Sequence, residues 1–143
     1  MFGFQPRSAE LNRFKHARKH SPADASRLIL VADDDDLMRE MCTVALTDCG
    51  YQVDTANDGN MAWEALCTRQ YDLLIVDHSM PSMTGLSLIG RIRAVPSQLP
   101  VILMSGANAR VTGEPIEVID PRFFLAKPMQ LSAFLAMVKE VLK

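Results

Sequence analysis

The chain has 143 residues, a formal net charge of −2, 48% hydrophobic and 22% charged residues, the make-up of a single globular domain with one core. No apolar run approaches the roughly 18 residues needed to cross a membrane, and the N-terminus lacks the continuous apolar stretch of a secretory signal. Cys42, Cys49 and Cys67 are odd in number and lack metal-ligand spacing, so they read as buried reduced thiols within helices, and the whole favours the cytoplasm.

The charge is unevenly spread. Residues 1–27 hold Arg7, Arg13, Lys15, Arg18, Lys19 and Arg27 against Glu10 and Asp24, while the remainder carries nine basic and fifteen acidic residues. With Pro6, Pro22 and a weakly amphipathic piece around Leu11, Phe14 and Ala17, residues 1–27 read as a flexible basic extension or linker. Such an arm is most simply solvated, though it can touch nucleic acid, an anionic surface or an acidic partner. Residues 28–143 form the compact domain, which is too acidic for a nucleic-acid binder.

In chain order, Leu28 to Ala32 is an apolar run that suits a strand buried on both faces, and it ends in four aspartates, Asp33 to Asp36. A helix follows from Leu37 to Cys49, with Asp36 as its N-cap and Met38, Met41, Cys42, Ala45 and Cys49 on one face. Gly50 stops it. Tyr51 to Ala56 gives a short strand and Asn57-Asp58-Gly59 a turn. Ala62, Ala65 and Leu66 form the buried face of a second helix closing near Arg69.

Asp72 to Asp77 is the central strand, followed by Pro81 and by Gly85, expected to allow a sharp turn. A third helix carries Leu88, Ile92 and Val95 on one stripe; Gly90 within it suggests close packing. Pro100 to Met104 is the fourth apolar run and ends at Ser105-Gly106. Ala107 to Pro121 should hold a helix that Gly113, Pro115 and Pro121 make short or irregular. Phe123 to Ala126 gives the fifth strand, ending at Lys127-Pro128, and a last helix spans about Gln130 to Leu142. Strands alternating with helices imply right-handed crossovers and a doubly wound parallel α/β sheet.

In such a sheet the carboxyl ends of the strands share one edge, so Asp33, Asp34, Asp77, Ser105 and Lys127 converge. Three crowded carboxylates repel one another, and a hard divalent cation such as Mg²⁺ relieves that repulsion. Phosphoryl transfer needs an oxygen nucleophile and donors for the developing charge. Asp77 can be the nucleophile, Lys127 the cation and Ser105 the hydroxyl donor, and attack by a carboxylate gives an acyl phosphate.

With these residues in this order, the chain resembles a response-regulator receiver domain of two-component signalling, CheY-like, from about Arg27 to Lys143. The spacings of 43 residues from Asp34 to Asp77, 28 to Ser105 and 22 to Lys127 fit that family, as does the Met80–Gly85 turn. The resemblance implies a flavodoxin-like (βα)5 fold with strand order 2-1-3-4-5. It implies Asp77 as the phosphoacceptor, and Asp33, Asp34, Asp77 and the backbone carbonyl of Ser79 around Mg²⁺. It further implies Lys127 as the phosphoryl-pairing lysine, preceding a proline often reached through a cis peptide. Ser105 and Phe124 match the switch pair, in which the aromatic swings inward when the hydroxyl moves.

By the same resemblance, a sensor histidine kinase or histidine phosphotransfer protein donates to Asp77, and the output is a contact with a downstream protein. No turnover of a separate substrate and no direct nucleic-acid contact are expected. Both a stand-alone regulator and the receiver part of a hybrid kinase fit. Thr84 departs from the Asp or Asn common before the glycine, and Phe124 lacks a hydroxyl. The alternative is a phosphorylation-independent interaction module of the same fold. An aspartyl phosphatase reading would need a second Asp where Ser79 stands, and a flavin phosphate would be repelled by the acidic end of the first strand.

Overall fold

A computed structural model describes residues 26–95, 97–106 and 123–143. The elements are β1 (Leu28–Ala32), α1 (Asp36–Asp48), β2 (Gln52–Ala56), α2 (Gly59–Thr68), β3 (Leu73–Asp77), α3 (Gly85–Arg93), β4 (Val101–Gly106), β5 (Phe124–Lys127) and α4 (Leu131–Val141). The five strands are parallel, in the order β2-β1-β3-β4-β5. This is the doubly wound order expected from the resemblance.

Alternation along each strand sends neighbouring side chains to opposite faces and builds two cores. Leu28, Leu30, Leu74, Val76, Val101 and Leu103 face α2 and α3, where Ala62, Trp63, Leu66, Leu86, Ile89 and Ile92 meet them. Ile29, Val31, Leu73, Ile75, Ile102 and Met104 face the other way, towards Cys42 and Leu46 of α1 and Phe134 and Val138 of α4. β1, β3 and β4 are thus covered on both sides, which is why they read as unbroken apolar runs. Asp72 ties two strands together at their starts: its carboxylate accepts from Leu28 N at 2.7 Å, and its own N–H donates to the Leu28 carbonyl at 2.8 Å.

Several sequence expectations are corrected. Asp35 is the N-cap of α1, accepting from Leu37 N and Met38 N at 3.0 and 3.2 Å, while Asp36 pairs with Arg39. The buried face of α1 is Cys42, Ala45 and Leu46; Met41 and Cys49 are exposed, because the i, i+3, i+4 set that meets the sheet is centred on Cys42. Only Cys42 of the three thiols is buried, and Cys67 is half-buried. Gly90 has no close neighbour: a Cβ there would meet nothing within 4 Å. The segment 107–121, where a shortened helix is expected, and most of the basic extension lie outside the described residues. No helix among the described residues is long and apolar enough to cross a membrane.

Candidate phosphoacceptor site

Parallel pairing brings the strand ends to one edge. Asp33 leaves β1 with its N–H donating to the Ala56 carbonyl at 3.1 Å, which carries the ladder to β2 one residue further. Its carbonyl accepts from Arg39 Nη1 at 2.7 Å and its carboxylate from Asp35 N at 3.0 Å. Those bonds hold Asp33 fully buried while Asp34 turns out to solvent. Asp77 closes β3 beside Met104 of β4, and the following His78 N–H donates to the Met104 carbonyl at 2.8 Å.

Behind Asp77 the backbone is crowded. A Cβ on Gly85 would stand 2.7 Å from the Asp77 carbonyl oxygen and 2.8 Å from Leu103 Cδ1, so the first turn of α3 presses on the end of β3. Gly85 is therefore needed for close approach, while the left-handed turn of the loop falls on Ser82, with φ of 71°. That corrects the expectation of a sharp turn at Gly85. Thr84 caps α3, its Oγ1 accepting from Ser87 N at 3.1 Å, so the departure from Asp or Asn keeps the cap chemistry.

The side chains meet at the centre of this edge. Carboxylate oxygens of Asp33, Asp34 and Asp77 lie within 4.8 Å of one another. Lys127, the last residue of β5, reaches between two of them, with Nζ 2.9 Å from Asp33 Oδ2 and 3.2 Å from Asp77 Oδ1. The Lys127–Pro128 peptide is cis. Ser105, in β4, is buried, and its Oγ has no hydrogen-bond partner among the described residues. Ser79 lies exposed in the loop two residues beyond Asp77. Phe124 opens β5 opposite Leu103, two residue pairs before Ser105 and Ala126, and is 40% exposed.

Electrostatics follow from this crowding. Burial, and then the Asp33 charge, push the Asp77 carboxyl above its ordinary range, and Lys127 opposes them. Burial would lower the Lys127 pKa, but the hydrogen bonds and charges of Asp33 and Asp77 outweigh it and hold it above the usual value. Three carboxylates against one ammonium leave an excess of two negative charges. That balance, with hard oxygen donors only, fits Mg²⁺, whose ligands at about 2.1 Å place opposite oxygens about 4 Å apart.

Two features were not read from the sequence. His78 follows Asp77 with a buried Nδ1 that has no partner among the described residues. Gly59, at the start of α2, abuts the loop after β3: a Cβ there would stand 2.5 Å from Met83 Cβ. Spacing along the chain carries no signal for Gly59, whose role depends on contact between separate βα units.

A family model for the response regulator receiver domain matches residues 29–139. The chain belongs to the response-regulator receiver family. As a receiver domain it is a signalling module. It is 35% identical over 114 residues to the DNA-binding transcriptional regulator NtrC of Azospirillum brasilense, a match covering 80% of this chain and 24% of that protein. Among curated relatives the matches span from 13% to half of the relative's length. A response regulator receiver protein from Pseudomonas putida has a TM-score of 0.74 at 30% identity, covering 82% of this receiver and 98% of that chain. The response regulator TrrA of Thermotoga maritima, solved in complex with Mg²⁺-BeF, has a TM-score of 0.73 at 29% identity, covering 80% and 98%.

Proposed function

We propose that this receiver domain takes a phosphoryl group from a phosphohistidine onto Asp77, with Mg²⁺, and thereby switches a protein–protein contact. The observation that carries the reading is Lys127 lying between Asp33 and Asp77 beside a buried Ser105 hydroxyl that has no partner among the described residues. A structural ion pair would account for the lysine and one carboxylate. It gives no reason for a third carboxylate at the same edge, or for a buried hydroxyl without a partner among the described residues.

In the proposed step an Asp77 carboxylate oxygen attacks phosphorus as the P–N bond to the donor imidazole breaks. The imidazole nitrogen keeps the bonding pair and takes a proton from solvent, and Asp77 becomes an acyl phosphate. Lys127 offers its ammonium to a phosphoryl oxygen and Ser105 donates its hydroxyl to another, replacing contacts that donor-side water would otherwise make. Phe124, 40% exposed, then packs inward towards the space that Ser105 leaves. The carboxylates of Asp33, Asp34 and Asp77 and the carbonyl of Ser79 would hold Mg²⁺. When bound, that ion supplies positive charge that offsets the carboxylates and the incoming phosphoryl oxygens.

The donor is a sensor histidine kinase or histidine phosphotransfer protein, and the receiver turns over no separate substrate. The downstream partner is a protein. Incubation with phosphoramidate and Mg²⁺ tests the reading by intact mass. A single phosphoryl adduct is expected in the wild type and in the exposed-site control Glu64→Gln, and none in Asp77→Asn. An adduct of equal yield in Asp77→Asn, or in the wild type with Mg²⁺ chelated, contradicts it.

A further inference from the structure

The outward face of α1 is apolar where a solvent-facing helix should be polar. Leu37, Met41 and Val44 recur at i, i+4 and i+7, so they form one stripe, and they are 66%, 48% and 55% exposed. Acid flanks that stripe: Asp34, Asp35, Asp36, Glu40 and Asp48 stand against the single basic residue Arg39, whose guanidinium is engaged by Asp36 and the Asp33 carbonyl. A contiguous apolar stripe of this kind on a receiver of ordinary composition marks a surface that something covers.

The chain carries a segment that complements it. Residues 9–19 place Leu11, Phe14 and Ala17 at helical spacing among Arg13, Lys15, Arg18 and Lys19. The basic sequence of residues 9–19 is opposite in charge sign to the acidic flank of the stripe, and its apolar residues recur as a short row. The described chain begins where this segment can return to α1: Ser26 Oγ donates to the Gly50 carbonyl at 3.4 Å, just past the C-terminal end of that helix. The 13 residues of α1 rise by about 20 Å. With residues 9–19 kept at helical rise, the seven steps from position 19 to Ser26 still span up to about 25 Å when extended. Phe14 can therefore reach any point along the stripe.

We propose that residues 9–19 dock in cis on α1, with Leu11 and Phe14 over Leu37, Met41 and Val44 and the basic residues against Glu40, Asp48 and the acidic loop. The juxtaposition makes the basic segment an intramolecular cover for a face that begins beside the Asp33–Asp34 turn. It is independent of whether Asp77 is phosphorylated. Because both halves belong to one chain, even a weak contact is favoured by a high effective concentration.

Methyl and aromatic NMR of the full chain tests the contact directly. Cross-peaks between the Phe14 ring and the methyl groups of Met41 and Val44 are expected, unchanged on dilution. They should vanish in the double variant Leu11→Ser, Phe14→Ser, with shifts confined to α1 and Leu30 methyl positions unmoved as a report of the intact core. Met41→Ser should in turn move the Phe14 ring signals. Absence of the cross-peaks together with unmoved α1 methyl signals in the double variant overturns the proposal. Cross-peaks that fade on dilution assign the stripe to a second copy of the chain and overturn it equally.

Discussion

Lys127 holds its ammonium 3.2 Å from the carboxylate of Asp77, across the gap between the last residue of β5 and the last residue of β3. The same nitrogen lies 2.9 Å from the fully buried Asp33. Lys127→Met would leave two buried carboxylates facing each other. Removing one partner of a buried pair costs about 3–5 kcal/mol, and partial exposure of Lys127 and relief by protonation or metal bring the expectation to about 1–3 kcal/mol. Denaturant unfolding without Mg²⁺ checks this. Because the competing ammonium is gone, Mg²⁺ should bind the variant more tightly and restore much of the loss.

Asp34 gives the opposite case. It is exposed, yet its carboxylate belongs to the acidic cluster. Asp34→Asn removes one of three repelling charges, so the metal-free protein should be as stable as the wild type or slightly more so. Mg²⁺ at a hundredfold excess over its Kd stabilises a single site by about 2.7 kcal/mol. Thermal unfolding should show most of that increment in the wild type and little of it in the variant. An equal increment in both would remove Asp34 from the metal site.

Two glycines of neighbouring helices should respond in opposite senses to alanine. Gly59→Ala drives a Cβ against Met83 Cβ at 2.5 Å and the Met83 carbonyl at 2.7 Å, so α2 and the loop after β3 must separate. Overpacking of this kind costs about 1–3 kcal/mol. Gly90→Ala adds a methyl group to open space inside α3 and should stabilise by up to about 1 kcal/mol. Chemical denaturation of the two variants side by side reads both signs.

The thiols also differ. Burial, then the Asp33 charge, raise the Cys42 pKa to about 11, whereas Cys49 is exposed. Iodoacetamide near neutral pH should therefore label Cys49 and spare Cys42, by peptide mass, until the protein is unfolded. The sign of the pH effect follows. The thiol ionises near 9.0 when unfolded and near 11 when folded, so its contribution to stability is lost as pH rises through that window. Cys42→Ala should flatten that part of the stability profile by about 3 kcal/mol.

How the sequence announces these features depends on their range. β1, β3 and β4 are legible because burial on both faces removes any polar alternation, and the chemistry stands out because Asp33, Asp77 and Ser105 each end or follow such a run, while Lys127 ends the half-exposed edge strand β5. The cap of α1 is one residue off because four consecutive aspartates are all competent caps, and only the bond from Asp35 to Leu37 N and Met38 N decides among them. The apolar face of α1 was misjudged for a physical reason: Met41 joins Leu37 and Val44 on an outward stripe, so hydrophobicity there does not mean burial. Gly59 depends on contact with Met83 in the next βα unit, which periodicity does not encode.

The most direct test of the central claim locates the phosphoryl group chemically. Borohydride reduces an acyl phosphate to the alcohol with release of phosphate, so a phosphorylated aspartate is recovered as homoserine. After phosphorylation with Mg²⁺, reduction and digestion, tandem mass spectrometry should place homoserine at position 77 in the peptide containing Leu73 to Met80. Homoserine at Asp33 or Asp34 instead, or none at any position under conditions that yield the intact adduct, would contradict the assignment of Asp77 as acceptor.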